Sequence, residues 1–278
     1  MSIEYYDYSS DTLDERTAMD LVEKRGVINF DIASLRFCAA AVLSNFQGEQ
    51  VCFNNALPNL DSVCAKLLLK LGDEGRLSIA WLRAKDHLPS LDQSTFLAFT
   101  KYADSVDMEG YGNINTREAE ILSQFQGTQI LVYVDTMNED IAKQLSMAKT
   151  DLLMVSVKDL EPLIASALSA SKAQNELQMI VENDTIDPES ATALSQYHGN
   201  TLKVQFKGLP SAETMQQLAQ FIRNLVVCMP VITPEIAMVL AKSKGTLELW
   251  LDEKPKADVI QTLSGSEREV TNLDSVFS

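Results

Sequence analysis

The side chains that most often carry chemistry are few and scattered in this sequence. It holds four cysteines and two histidines: Cys38, Cys52, Cys64, Cys228, His87 and His198. A zinc site typically contains a C-x-x-C pair, and the sequence has no such pair. The four cysteines also lack the spacing pattern of a disulfide framework. We therefore predict reduced, buried thiols, no metal site and no bound cofactor.

Motifs for nucleophilic catalysis or phosphate binding are also missing from the sequence. It has no G-x-S-x-G elbow and no phosphate loop, and the glycine pair Gly110 and Gly112 lacks the rest of a nucleotide fingerprint. We predict a protein that is not an enzyme. One enzymatic alternative stays open, a site assembled from the 82–90 loop with Asp107 and Glu109.

The net charge of the chain limits the classes of partner that it is expected to bind. The chain carries 39 acidic and 23 basic residues, a net charge of -16, and has no basic run to follow a phosphate backbone. Nucleic acids and anionic membranes are therefore unexpected partners. The start, MSIEYYDYSSDTLDER, lacks the pattern of a cleaved signal, so we expect a soluble, cytoplasmic protein, with a signal-independent export route left open.

A repeat of about 23 residues organises the chain. An apolar residue expected on a helix, called here the anchor, recurs at Leu21, Leu43, Leu68, Phe99, Leu122, Leu145, Leu168, Leu194, Leu218, Leu240 and Leu263. Seven of the ten spacings are 22 to 24 residues, and alanine stands three positions before eight of the anchors. Residues i and i+3 share a helix face, so each repeat predicts a helix that packs closely on its neighbours.

Short alternating runs follow the anchors. Examples are Ile28/Phe30/Ile32, Leu77/Ile79/Trp81, Ile130/Val132/Val134, Leu153/Val155/Val157 and Leu247/Leu249/Leu251. Alternation with period two predicts strands that bury one face. Capping segments such as INTREA, MNEDIA, TIDPES, LPSAET and ITPEIA mark the helix starts, and segments such as NFQG, QFQG and QYHGN mark the exits.

A helix and a strand that repeat along the chain predict a parallel sheet, because parallel strands need a crossover connection. The motifs L-x-L-x-L and A-x-x-L, as in LLMVSVKDLEPLIASALSASK, resemble the leucine-rich repeat family from Leu13 to about Leu263. The resemblance implies an α/β fold, a right-handed solenoid or horseshoe with a concave strand face and outer helices. We expect one domain, with a tail and capping helix over 1–26, repeats over 27–251 and a C-terminal cap and tail over 252–278.

The sequence departs from that family in two ways. The asparagine expected after each strand is out of step, with only Asn54, Asn55 and Asn113 near the position. The segment RAKDHLPS also lengthens one repeat.

The strand residues that alternate with the predicted core define an open sheet face. We expect this face to bind a protein partner through apolar residues and to orient an acidic segment of that partner through lysines. These candidates are Leu131, Tyr133, Met154, Ile180 and Trp250, with Lys158, Lys203 and Lys207. A register shift of one residue would instead place the apolar residues near Leu131 in the core.

The predicted function is a non-enzymatic interaction scaffold. Replacing Tyr133 and Met154 by aspartate would then abolish binding without changing the fold. Two other roles stay open: a structural homo-oligomer that associates through a sheet edge or the Trp250 end, and an exported effector that acts on host proteins.

Overall fold

A computed structural model describes residues 3–54, 60–83, 93–109, 112–183, 186–265 and 270–271. Helices and parallel strands alternate along the chain in the manner of a solenoid-like repeat fold, and the sheet does not close into a barrel. The chain forms two compact units: Met1–Tyr111 with Phe125–Ile130, and Gly112–Gln124 with Leu131–Ser278. The predicted α/β repeat architecture is confirmed.

In the first unit, each strand pairs in parallel with the next one along the chain. The strands are β1 (Tyr5–Leu13), β2 (Val27–Leu35), β3 (Gln50–Phe53), β4 (Leu77–Arg83) and β5 (Ala103–Asp107). The helices are α1 (Glu15–Val22), α2 (Phe37–Leu43), α3 (Ser62–Asp73) and α4 (Gln93–Phe99). A 3₁₀ turn, Thr100–Tyr102, follows α4.

The second unit repeats the same order of elements. Its helices are α5 (Thr116–Ser123), α6 (Glu139–Ser146), α7 (Pro162–Ser169), α8 (Pro188–Leu194), α9 (Ala212–Leu218), α10 (Pro234–Leu240) and α11 (Ala257–Ser264). Its strands are β7 (Leu152–Val157), β8 (Glu176–Val181), β9 (Thr201–Phe206), β10 (Asn224–Met229), β11 (Thr246–Leu251) and β12 (Val270–Thr271), preceded by the last three residues of β6 (Gln129–Tyr133).

The anchors and their alanines form the core with the alternating strand residues. Every anchor after Leu21 is fully buried, and so are the eight alanines that precede anchors. Leu21 lies in α1, the first helix of the chain, and stays partly exposed. In the second unit the strand residues Val132, Val155 and Val204 are fully buried, so the predicted strand register is confirmed there.

Local signals also place the helix starts correctly. The side chains of Asn115, Asn138, Asp187, Ser211 and Thr233 each accept a hydrogen bond from the backbone N–H three residues later. Asn115 completes a capping box with Glu118, as INTREA predicted. Each of these five caps therefore satisfies a donor that the first helical turn would otherwise leave unpaired.

Two segments of the first unit differ from the sequence-based expectation. The predicted N-terminal tail contains a nine-residue strand, β1, which pairs with β2 and precedes the expected helix. In β4 the buried positions run Leu77, Ile79 and Leu82, so Trp81 is half-exposed rather than buried. Strict alternation fails at Trp81 because the last two inward residues, Ile79 and Leu82, are three positions apart instead of two.

The glycines of the exit segments QFQG and QYHGN leave space for a neighbouring group, whereas Gly75 at the exit of α3 adopts a left-handed conformation. A Cβ on Gly127 would lie 2.3 Å from the Phe125 ring and 2.2 Å from the Asp104 carbonyl oxygen. A Cβ on Gly199 would lie 2.0 Å from the Tyr197 hydroxyl. In the segments QFQG and QYHGN, glycine thus allows a buried aromatic ring to fold back beneath the chain.

Buried hydroxyl groups join successive repeats of the second unit. The Ser190 hydroxyl donates to the Leu160 carbonyl at 2.9 Å, and the Thr214 hydroxyl donates to the Ile186 carbonyl at 2.6 Å. Both side chains lie at the third position of a helix and are almost completely buried. Each bond satisfies a carbonyl of the preceding repeat, which makes the stacking of repeats specific in register.

Candidate functional site

The open face of the second unit holds all eight predicted partner-binding residues. Two rows cross its strands: Met154, Gln178, Lys203, Val226 and Glu248 in one, and Ser156, Ile180, Gln205, Cys228 and Trp250 in the other. Both rows consist of strand residues that alternate with the predicted core residues, as expected for the open face. The Val134 backbone N–H donates to the Ser156 carbonyl at 3.0 Å, which sets β6 beside β7.

The apolar residues of this face differ in exposure. Leu131, Tyr133 and Ile180 are half-exposed, and Trp250 is 47% exposed. Met154 is only 5% exposed, because neighbouring strands lie about 4.8 Å apart and their side chains cover it. The expectation that Met154 offers an exposed contact is therefore wrong. Its side chain is buried among its neighbours on the open face.

Two of the three predicted lysines form ion pairs with acidic residues of the same face. Lys158 Nζ lies 2.9 Å from Asp135 Oδ1, and Lys207 Nζ lies 3.6 Å from Glu182 Oε1. The hydrogen bond to Asp135 raises the pKa of Lys158. Both pairs are about half exposed, so each adds little stability, but they offset the charges that were expected to attract an acidic segment.

Lys203, the third lysine, stands among carboxylates. Burial raises the pKa of Glu176 above its ordinary value; Glu248 adds to the rise and Lys203 opposes it. Glu176 begins β8 and Lys203 lies on the adjacent strand β9. The net rise indicates that the folded chain disfavours the Glu176 carboxylate even with a lysine nearby.

This arrangement predicts a pH-dependent gain from Glu176→Gln. A carboxyl whose pKa is raised by folding costs stability once pH rises through its unfolded value, and none below that value. We expect Glu176→Gln to unfold at a higher temperature than the wild type at pH 7 and at the same temperature below pH 4. Thermal melts followed by circular dichroism across this range test it. A gain of equal size at every pH would instead indicate a packing effect.

A shallow groove opens beside Trp250 at the end of the two rows. It has a volume of about 280 Å³ and is lined by Lys203, Gln205, Phe206, Cys228, Met229, Trp250, Leu251 and Asp252. The indole Nε1–H donates to Glu248 Oε1 at 2.8 Å, which holds the ring in one orientation. Burial, followed by the charges of Glu248, Asp252 and Glu176, raises the pKa of Cys228 against the opposing effect of Lys203.

The first unit has its own polar cluster on the open face. The Arg83 guanidinium lies 4.9 Å from the centre of the Trp81 ring, and its Nε lies 3.9 Å from Asp107 Oδ2. Asp107 also accepts a hydrogen bond from the Glu109 backbone N–H at 2.9 Å. Asp107 aligns with Arg83 in the pairing of β4 with β5. The 84–90 part of the enzymatic alternative lies outside the described residues.

A ladder of polar side chains at the starts of the strands was not predicted. Asn175 donates to Asp151 at 3.2 Å, Asn200 donates to Asn175 at 3.3 Å, and Arg223 donates to Asn200 at 3.1 Å. The sequence signal is a polar residue just before each of the strands β7 to β10, whereas the leucine-rich repeat pattern that the sequence resembles has its asparagine after the strand. This ladder links the starts of four successive strands, β7 to β10.

Over the described ranges, no three side chains of His, Cys, Asp or Glu come together as a metal site would require. In the same ranges no helix has the length and apolar composition to cross a membrane. Comparison with known proteins found no matching family model and no curated protein of similar sequence.

Proposed function

We propose that the protein is a non-enzymatic interaction scaffold whose second unit binds a segment of a protein partner on its open strand face. We further propose that its repeats are of the leucine-rich kind. The observation that carries the proposal is the unbroken pair of rows from β7 to β11, flanked by half-exposed Leu131 and Tyr133 and ending at exposed Trp250.

The chemistry of the rows suits recognition better than core packing. Gln178, Gln205 and Glu248 provide hydrogen-bonding groups between the apolar residues, and all three are partly exposed. Aromatic residues surrounded by polar groups are typical of binding hot spots. Polar groups interspersed among apolar groups along a single sheet face give a bound segment both affinity and register.

The test is affinity capture from native lysate with three proteins compared by quantitative mass spectrometry. They are the wild type, a Leu131→Asp, Tyr133→Asp variant and a Leu163→Asp control. Leu163 is 61% exposed on α7 of the same unit, so its change adds one negative charge to the helix side, against two on the strand face of the open-face variant. We expect at least about a tenfold loss of the captured protein for the open-face variant alone, since several apolar contacts would be lost.

Circular dichroism must first show that all three proteins are folded. We expect this result because the substituted positions are partly or mostly exposed to solvent. Equal capture by the wild type and the open-face variant would contradict the proposal. Equal loss in the Leu163→Asp control would also contradict it, because the binding surface would then include the helices.

Self-association is a second candidate, favoured by the edge strand β1. One side of this nine-residue strand pairs with β2, and Tyr5 at its start is 65% exposed. Exposed strand edges are templates for pairing with another chain. Light scattering over a concentration series separates the candidates, because a scaffold of the first kind remains a monomer.

A further inference from the structure

We infer that the Trp250 groove binds an arginine side chain of the partner segment, which makes the recognised segment basic rather than acidic. This inference rests on the proposed function and specifies the chemistry of its partner. It reverses the sequence-based expectation, in which three lysines attract an acidic segment.

The charge around the groove is the first argument. Asp252 and Lys203 both line the groove, and Glu248 accepts the hydrogen bond of the Trp250 indole at 2.8 Å, so two carboxylates lie at this position against one ammonium group. The charge of Glu176 also acts on the Cys228 thiol in the same groove. Lys158 and Lys207 add no free positive charge to the face, since each already lies beside an acid. A cationic group entering the groove therefore gains attraction that an anionic group would not.

The indole is the second argument. Trp250 is 47% exposed, and its ring is held by the hydrogen bond to Glu248. A fixed indole face beside carboxylates suits a guanidinium. The flat guanidinium can stack on the ring while its N–H groups, which point outward in the guanidinium plane, donate to a nearby carboxylate. An ammonium group is more strongly hydrated and has no flat face to stack, so arginine fits better than lysine.

The first unit contains the same three groups with the cation already supplied. There Arg83 lies over Trp81 and beside Asp107. At Trp250 the indole and the carboxylates are present, but within the described part of the chain no lysine or arginine lies over the ring. The groove thus repeats an arrangement whose cation would come from another molecule.

The experiment is a titration of the isotopically labelled full chain, followed by the two tryptophan indole N–H signals in nuclear magnetic resonance. The probes are three capped tripeptides, Gly-Arg-Gly, Gly-Lys-Gly and Gly-Glu-Gly. Trp250→Phe assigns the signals, and Trp81, already stacked with Arg83, is the internal reference. We expect Gly-Arg-Gly to move the Trp250 signal to saturation at up to about 10 mM, with Trp81 unmoved.

Three charge variants give the proposal a direction. Asp252→Asn is expected to weaken arginine binding about threefold. Lys203→Gln is expected to strengthen it by a similar factor, because a competing cation is removed. A matched control, Lys242→Gln on the exposed surface beyond α10, is expected to leave the affinity unchanged.

Three results would overturn the inference. They are no saturable shift of the Trp250 signal, a larger response to Gly-Glu-Gly with weakening by Lys203→Gln, and equal responses to the arginine and lysine peptides. The scaffold proposal can still hold in each case, since it is judged by the Leu131 and Tyr133 capture experiment. Conversely, failed capture leaves this titration informative.

Discussion

Gly245→Ala is expected to lower the free energy of unfolding by about 3 kcal/mol. A Cβ at this position would lie 1.7 Å from the Arg223 carbonyl oxygen and 2.6 Å from the Arg223 backbone nitrogen. These are backbone atoms of the preceding repeat, so no side-chain rotation can relieve the overlap. The change therefore has to push β11 away from β10 at the start of their pairing.

Gly265→Ala is the matched control, because there the nearest atoms to an added Cβ are 3.5 Å and 3.7 Å away. That substitution should leave stability within about 0.5 kcal/mol of the wild type. Urea unfolding followed by circular dichroism measures both variants. If Gly245→Ala and Gly265→Ala unfold at the same urea concentration, the close approach of Gly245 to Arg223 is not a constraint on the fold.

Met154→Asp is expected to destabilise the second unit by about 4 kcal/mol, through loss of an apolar side chain and burial of a carboxyl group. Met154 is 5% exposed although it lies on the open face, where it begins one of the two rows and aligns with Gln178 on the next strand. The change should therefore unfold repeats instead of merely removing a contact. Hydrogen exchange of the β6–β8 amides and urea unfolding measure the effect.

Met154→Leu keeps the apolar volume and should cost less than about 1.5 kcal/mol. Leu131→Asp places the same charge on a half-exposed residue of the same face and should remain folded. A folded, stable Met154→Asp variant would show that this position is accessible after all. It would also restore the original test, in which Tyr133→Asp and Met154→Asp together report on binding alone.

The repeat and its register could be predicted from sequence because both depend on local patterns. A helix needs its apolar face every three or four residues and a strand needs alternation, so the anchors, the alanines and the inward strand residues identify themselves. Caps are equally local, since Asn115 and Thr233 act on an N–H three residues away. The open-face rows of the second unit followed from the same periodicity.

Sequence-based prediction failed in two strands that do not alternate strictly between apolar and polar residues. Trp81 reads as inward because two apolar residues precede it at even spacing, but β4 turns Leu82 inward instead. Strand β1 carries so many tyrosine, serine and aspartate residues that no apolar pattern marks it, and only its pairing with β2 defines it. Neighbouring strands, not local preference, decided both segments.

The sequence alone therefore determined the α/β repeat architecture of this protein and which residues share a sheet face. The tertiary structure decided which of those residues are accessible and which charges are already paired. Met154 is covered by adjacent strands, Lys158 lies beside Asp135, and Trp250 remains open next to Asp252. Periodicity depends on residues that are close together in the sequence. Exposure and charge pairing depend on side chains one repeat away, and a local sequence pattern does not specify where those side chains lie.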